Sequence, residues 1–324
     1  MLFLLREAPG NAVEGPLFDC QRSLRELARL GSAFTARRYL SLAPLPFPRI
    51  SLSLLDDATV SSSVAMNVLK CARLFFVAAA LLAAAPRPVL AQTDEIQVYD
   101  ASIAAPGKFN LTWHNNFTPD GLKTPAFPGA IIADKSFNGV TEWAYGVTDW
   151  FEAGLYLPLY SFSKNHGATI NGGKLRLLFT APHAADRTFF YAVNFEFSYN
   201  ATYWDNSRFT SEIRPIFGVH LHPVDIIVNP ILDNSYRGGF KSLDFAPAAR
   251  IAYNFSPKFA FAVEEYSDVG PLRAFFPTDQ ESHEVWGVFD RATKLADIEA
   301  GVGFGVTAAS DKITLKLMFS RDLN

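Results

Sequence analysis

An all-β, antiparallel outer-membrane β-barrel of about twelve strands is the fold this chain predicts, on three observations. Apolar residues alternate with polar or small ones at period two, the pattern of strands whose successive side chains point to opposite faces. Short links alternate with longer ones, as periplasmic turns and outer loops do in such barrels. A secretory signal precedes the patterned region. The hairpin EWAYGVTDWFEAGLYLPLY, Glu142 to Tyr160, displays the repeating unit. Before its turn Trp143, Tyr145 and Val147 alternate with Glu142, Ala144 and Gly146; after it Phe151, Ala153, Leu155, Leu157 and Leu159 alternate with Glu152, Gly154, Tyr156 and Tyr160.

Composition sets the limits. The 324 residues are 49% hydrophobic and 19% charged, with 29 Phe and a net charge of -3, so no basic field invites nucleic acid. Both cysteines, Cys20 and Cys71, precede Gln92, which leaves the rest of the chain without a disulfide or a cysteine metal site. MNVLKCARLFFVAAALLAAAPRPVLA opens at Met66 with Lys70 and Arg73, continues through the apolar run Leu74 to Ala85, and ends in Val89-Leu90-Ala91, the three parts of a signal peptide. Its apolar run is shorter than the roughly 20 residues of a spanning helix. The expected division is residues 1–65 as an extension from an upstream start, 66–91 as signal peptide and 92–324 as the barrel, with Gln92 first in the mature chain. A transit peptide around Arg22 to Arg38 is the alternative for the extension.

After an extended leader, Glu95 to Ala104, strand one is Lys108 to His114, with Phe109, Leu111 and Trp113 on one face. The connection Pro119 to Gly139 leads to strands two and three, the hairpin above. The polar stretch SKNHGATINGG reads as a loop, and strand four follows as Lys174 to Ala181. The link PHAADR leads to strand five, Thr188 to Tyr199, where Phe189, Tyr191, Val193, Phe195, Phe197 and Tyr199 make one stripe against Ala192, Asn194, Glu196 and Ser198. Strand six, Phe209 to Leu221, opposes Ile213, Phe217, Val219 and Leu221 to Glu212, Arg214, Gly218 and His220. Strand seven is Ile226 to Leu232, strand eight Leu243 to Phe255, strand nine Phe259 to Tyr266 and strand ten Glu284 to Phe289. Strand eleven carries Ile298, Ala300, Val302, Phe304 and Val306 on one face, and strand twelve is Ile313 to Phe319. With the N-terminus in the periplasm, the tight turns fall on that side and the longer links outside, except Ala308 to Lys312.

GVGFGV, Gly301 to Val306, has the glycine spacing of a phosphate-cradling loop, but no helical period follows. Its glycines are expected to face the lumen and admit bulkier neighbours. His220 and His222 share a strand face, but two histidines are fewer than a zinc site needs. No GxSxG motif marks a serine nucleophile, and no cofactor motif is present. Trp150 and the Tyr203-Trp204 pair, at strand ends, are placed in the aromatic girdles of the membrane interfaces.

The polar faces direct Lys108, His114, Glu142, Glu152, Lys174, Arg176, Glu196, Glu212, Arg214, His220, Asp244, Arg250, Glu264, Glu299 and Lys316 to the lumen, with Asp297 beside them. Even registers put Lys174 opposite Glu196 and Glu196 opposite Glu212, with Arg214 diagonal. Charges in so narrow a barrel must be paired or wet, and side chains or an N-terminal segment can fill it. An open pore of this kind would be slightly cation-selective.

The segment EWAYGVTDWFEAGLYLP resembles the hairpin that recurs in outer-membrane transporters associated with the meta-cleavage pathway of phenol degradation. The resemblance implies a barrel in the bacterial outer membrane, not an enzyme, that admits small, aromatic or hydrophobic compounds. Its partners would be outer-membrane lipid, the assembly machinery and the solute. The chain departs from common endings of such barrels by closing in Ser-Arg-Asp-Leu-Asn, beyond Phe319. A barrel-borne lipid-modifying enzyme and a purely structural barrel are the alternatives.

Overall fold

Period-two patterning becomes fourteen strands in one sheet whose first and last members meet, as described by a computed structural model covering residues 94–236 and 243–323. The expectations for residues 1–93, including the signal peptide and its cleavage, lie outside the described residues. The strands are β1 Phe109–Asp120, β2 Phe137–Gly146, β3 Phe151–Ser163, β4 Gly167–Thr180, β5 Phe189–Asn200, β6 Phe209–His220, β7 Val224–Asn229, β8 Leu232–Asn234, β9 Leu243–Phe245, β10 Ala248–Ser256, β11 Phe259–Asp268, β12 Ser282–Ala292, β13 Asp297–Gly305 and β14 Ile313–Asp322. All pairings between them are antiparallel, and β1 pairs with both β2 and β14, which closes the barrel.

Two interruptions reduce fourteen strands to twelve spans. β6 pairs with both β7 and β8, and these in turn pair with β10 and β9. The breaks fall at Pro230 and Pro247, on neighbouring spans, because proline has no N–H to give to a ladder. Strands seven and eight of the sequence reading are therefore each one span in two pieces.

The outer surface is apolar on every side. Phe189, Tyr191, Phe197 and Tyr199 of β5 stand exposed while Ala192, Asn194 and Glu196 between them are buried, and the same alternation runs through β11 and β12. A continuous exposed apolar band is foreign to a water-soluble monomer and suits lipid. Among the described residues no helix is long and apolar enough to cross a membrane; crossing in such a barrel is done by strands, closed so that no backbone edge faces lipid.

Several boundaries differ from the sequence reading, for one shared reason. Polar and glycine-containing stretches read as loops become strand where their polar side chains face the lumen. Strand one runs on to Asp120 with Asn116 and Thr118 buried inside, and β2 starts at Phe137. SKNHGATINGG is mostly β4: only 164–166 link it to β3, and Asn171 is fully buried, taking a hydrogen bond from Thr169 and giving one to Ser161. The β3–β4 link is thus a short turn at the end expected to carry long ones. At the opposite end, 181–188 is a longer link containing the 3-10 turn η1, Ala184–Asp186.

Leu159 is also corrected. The ladder slips between Tyr156 and Leu159 at Pro158, reversing the alternation, so Leu159 is fully buried inside and Tyr160 faces outward. Tyr160 lies across Gly139, where a Cβ would stand 2.5 Å from its hydroxyl. From there the hydroxyl accepts from Trp113 Nε1 (2.7 Å) and donates to Asn115 Oδ1 (3.0 Å), which satisfies an outward-facing asparagine.

Candidate functional site

The extended leader is inside the barrel. Asp94, Glu95, Ile96, Val98, Tyr99, Ala101 and Ala104 are all buried, and the segment leaves the lumen where Pro106 bridges to Gly146 before β1. Backbone groups inside a barrel need partners as much as those in a sheet. Asn229, fully buried on β7, accepts from Tyr99 N–H at 2.7 Å and donates to Tyr99 O at 3.0 Å, an imitation of strand pairing. Thr180 donates to Ala101 O, Asn116 to Asp94 O, Arg214 to Gln97 O and Lys316 to Ile96 O. Glu152 accepts from Ala104 N–H at 2.5 Å.

Around this segment the lumen charges form three groups. On β2, β3 and β4, Arg176 pairs with Glu142 at 2.8 Å and with Glu152, and Glu142 also holds His114 at 3.1 Å. In the middle, Lys174 pairs with Asp94 at 2.9 Å and Glu196 at 3.4 Å, while Arg214 pairs with Glu212 at 2.6 Å and Glu95 at 3.6 Å. The Tyr99 hydroxyl lies 2.6 Å from that of Tyr156, 2.9 Å from Glu95 and 3.2 Å from Glu196, and its ring lies 4.2 Å from the Arg214 guanidinium. On the far side Lys316 pairs with Glu264 and Glu299 at 2.6 Å each, and Arg250 with Glu264, Asp290 and Glu299. Each of these five bases meets at least two carboxylates, the arrangement that makes buried charge tolerable.

The remaining lumen candidates lie apart from this network. Lys108 precedes β1 and is exposed, as is Asp297 at the first position of β13, because both fall where the chain turns at the barrel end. His220 closes β6 against Asp225 at 2.7 Å and stacks on Phe190; His222 is exposed in the following turn and does not share its face. Asp244 sits at the middle of the short β9, bridged to Pro271. The expected register is corrected too: Glu196 faces Glu212 as drawn, but Arg176, not Lys174, lies directly opposite Glu196, and Lys174 reaches it diagonally. Arg214 is opposite Asn194.

Trp204 is buried against Ile131, Val140, Tyr156 and Leu159 and is no girdle residue; Trp150 is exposed at its strand end. Asp94, Glu95, Tyr99, Tyr156 and Asn229 were missed as lumen groups. The signal for Asn229 was an amide closing the otherwise apolar run Ile226 to Val228.

Above the segment, toward the end carrying the 121–136 and 269–281 links, a cavity of about 340 Å³ opens. Its floor is Asp94 to Gln97 and its wall includes Asp233, Asp268, Glu284 and Asp311. On the outward face of β11 and β12, which also presents Val263 and Val285, Ser267 Oγ lies 2.8 Å from His283 Nδ1, and His283 Nε2 lies 3.3 Å from Glu281. Among the described residues no three His, Cys, Asp or Glu side chains converge to hold a metal ion.

No protein-family model matches the chain, and no curated protein matches it. Among solved structures, an outer membrane channel from Pseudomonas putida F1 is similar over 71% of this chain and 100% of its own, at 13% identity and a TM-score of 0.48. The KdgM porin in complex with disordered oligogalacturonate covers 66% of this chain and 99% of its own at 7% identity and a TM-score of 0.44. LpxR from Salmonella typhimurium covers 65% and 99% at 8% identity and a TM-score of 0.35. These likenesses are too distant to carry an argument about function.

Proposed function

We propose that this protein is an outer-membrane channel for small organic solutes, aromatic and other hydrophobic compounds among them, and that the segment from Asp94 to Ala104 keeps its lumen closed at rest. The observation that carries the reading is the segment itself, which occupies a polar interior and whose backbone, among the described residues, is held by side chains of the wall and not by a strand ladder. A barrel serving only as structure gains nothing from ionised groups in its centre, since replacing buried ion pairs by well-packed apolar residues is often neutral or stabilising. The solute class rests on the resemblance of the Glu142 to Pro158 hairpin. Outer-membrane lipid, the machinery that inserts barrels and the solute are the partners this reading implies.

Planar-bilayer recordings of the mature protein beside a variant lacking residues 92–104 test it, together with liposome swelling on phenols and sugars. Small or absent currents are expected from the first and larger steps from the second, with phenols entering. Folded barrels of both kinds that neither conduct nor admit any solute would overturn the reading.

A lipid-hydrolysing barrel is the second reading, favoured by one observation: on the outward face of β11 and β12 Ser267 Oγ, which donates to Glu265, lies 2.8 Å from His283 Nδ1, and Glu281 in the preceding link lies 3.3 Å from His283 Nε2, so a serine, a histidine and two carboxylates meet. Fatty acid released from phospholipid vesicles by the protein, and lost in Ser267→Ala, would establish it.

A further inference from the structure

The outward face of the barrel changes character at its turn end. On β12, β13 and β14 the acids there keep the lumen phase and the bases take the outward one: Asp290 and Asp322 sit next to Arg291 and Arg321, and Asp297 shares the phase of Glu299. Arg291 stands one two-residue step beyond Phe289, and Arg321 one step beyond Phe319. Ile298 lies between these strands in register, paired with both Arg291 and Phe319. The turn 293–296 adds Lys294, and the carbonyl of Lys258 accepts from Ala292 N–H, so Lys258, Arg291, Lys294 and Arg321, all exposed, border one sector. Phe259 lies between Phe255 and Phe289, with ring centroids 5.2 and 4.6 Å away, an aromatic cluster that marks the membrane interface beside these bases. At the opposite end of the sector the outward face of β11 carries Glu265 beside Ser267.

Next to these bases the wall is grooved. A cleft of about 370 Å³ runs along β14, β1 and β2, lined by Trp113, Phe117, Phe137, Leu315, Leu317 and Phe319. It dips at Asn115, a short side chain in a row with Trp113 and Phe117; the amide is engaged by Tyr160 and by the carbonyls of Trp113 and Leu317, so the cleft presents apolar walls. We infer that this sector binds an anionic phospholipid of the periplasmic leaflet, its phosphate held by Arg291, Lys294 and Arg321 and one acyl chain laid in the cleft. From Arg321 to Leu315 the strand runs about 20 Å, or about 14 Å of depth at a tilt of about 45°, the reach of one leaflet's chains in a hydrocarbon layer of roughly 30 Å. A guanidinium offers a fork of donors that matches phosphate oxygens, and bases at this boundary lay their stems on the apolar wall and their heads in the headgroup layer. An anionic headgroup complements a face from which the acids are turned away, whereas a zwitterionic one brings its own cation to meet these bases. The inference goes beyond the channel reading and needs only the barrel with its short turns in the periplasm.

The test uses the mature protein in phosphatidylcholine vesicles that contain a minor fraction of brominated phosphatidylglycerol or, in parallel, of brominated phosphatidylcholine, with tryptophan fluorescence as the readout. Trp113 lines the cleft, so quenching is expected to give phosphatidylglycerol a severalfold higher apparent affinity than phosphatidylcholine. Trp113→Phe should remove that difference, because the exposed Trp143 and Trp150 lie off the cleft. Arg291→Gln with Arg321→Gln should abolish the preference, and Lys294→Gln, in a turn, should reduce it if the pair fails to fold. Arg208→Gln, which removes an exposed base beside Tyr199 at the other end of the barrel, should leave it intact. Equal quenching by the two lipids in the native protein overturns the site. A preference that survives the double arginine variant or Trp113→Phe puts the anionic lipid elsewhere and overturns it too. A preference lost equally in Arg208→Gln means attraction by net charge alone and has the same consequence.

Discussion

Trp286 occupies the space that a side chain on Gly303 would fill: a Cβ there would stand 2.1 Å from Cε2 of the indole. The ring is fully buried, donates to Glu284 and packs with Ile96 of the inserted segment. Gly303→Ala should therefore push Trp286 toward the segment and cost about 1–3 kcal/mol, the usual penalty of overpacking. A lowered heat-modification temperature is expected, recovered in part by Gly303→Ala with Trp286→Leu; an unchanged temperature in the single variant would show that the indole has room to move.

Arg176 holds two buried carboxylates, so Arg176→Met should be among the most damaging lumen substitutions. Breaking a buried pair from one side costs about 3–5 kcal/mol, because the partner charge stays behind. Adding Glu142→Gln and Glu152→Gln to the same variant should restore much of the folding yield, measured as the heat-modifiable fraction.

Glu196→Gln addresses the middle group. Lys174 keeps Asp94 and the Tyr99 hydroxyl keeps Glu95, so insertion is expected to survive while cation preference falls. Reversal potentials under a salt gradient read this directly. An insertion defect with unchanged conductance would remove Glu196 from the conduction path.

The lipid side is tested by Phe195→Arg and Val302→Arg. Phe195 pairs with Leu177 and Ile213 on the outer face, and Val302 is exposed on β13. An arginine near the midplane should cost about 2–4 kcal/mol. Normal yields of both variants in phospholipid vesicles would contradict the assigned faces.

A pH effect is expected in the 121–136 link. Lys164 donates to Asp134 at 2.6 Å, and this hydrogen bond holds the carboxyl below its ordinary value of 3.8. A lowered folded-state value gives stability that is present above 3.8 and lost as pH falls through the lowered value. Protease cleavage in this link should rise at acid pH in the native protein, and Lys164→Met should raise it at neutral pH and flatten the dependence.

The barrel was legible in the sequence because lipid on one side and a narrow interior on the other force a strict two-residue period on β5, β12 and β13. It was least legible where that period is broken or where both faces are polar. Pro158 shifts the phase within one strand, which sent Leu159 inward against its pattern. The upper part of β4 carries Thr169 and Asn171, whose lumen partners come from β3 and from each other, and no local pattern records such partners. The candidate charges were readable as a set, since ionised groups have nowhere else to go in a membrane strand. Their pairings were not, because a two-residue difference in register moves Lys174 off Glu196 without changing any face.

Lys316 on β14 donates to the carbonyl of Ile96, a contact across 220 positions of sequence. The inserted segment is the earliest part of the described chain, yet its anchors lie on spans made throughout synthesis, with Asn229 at mid-chain and Lys316 on the strand that seals against β1. Such separations make closure slow, because loop entropy is lost before the contacts form. The segment can hold its place fully only once the last strand has arrived, so filling the lumen and sealing the wall are coupled steps of one assembly. A barrel halted before β14 would lack both.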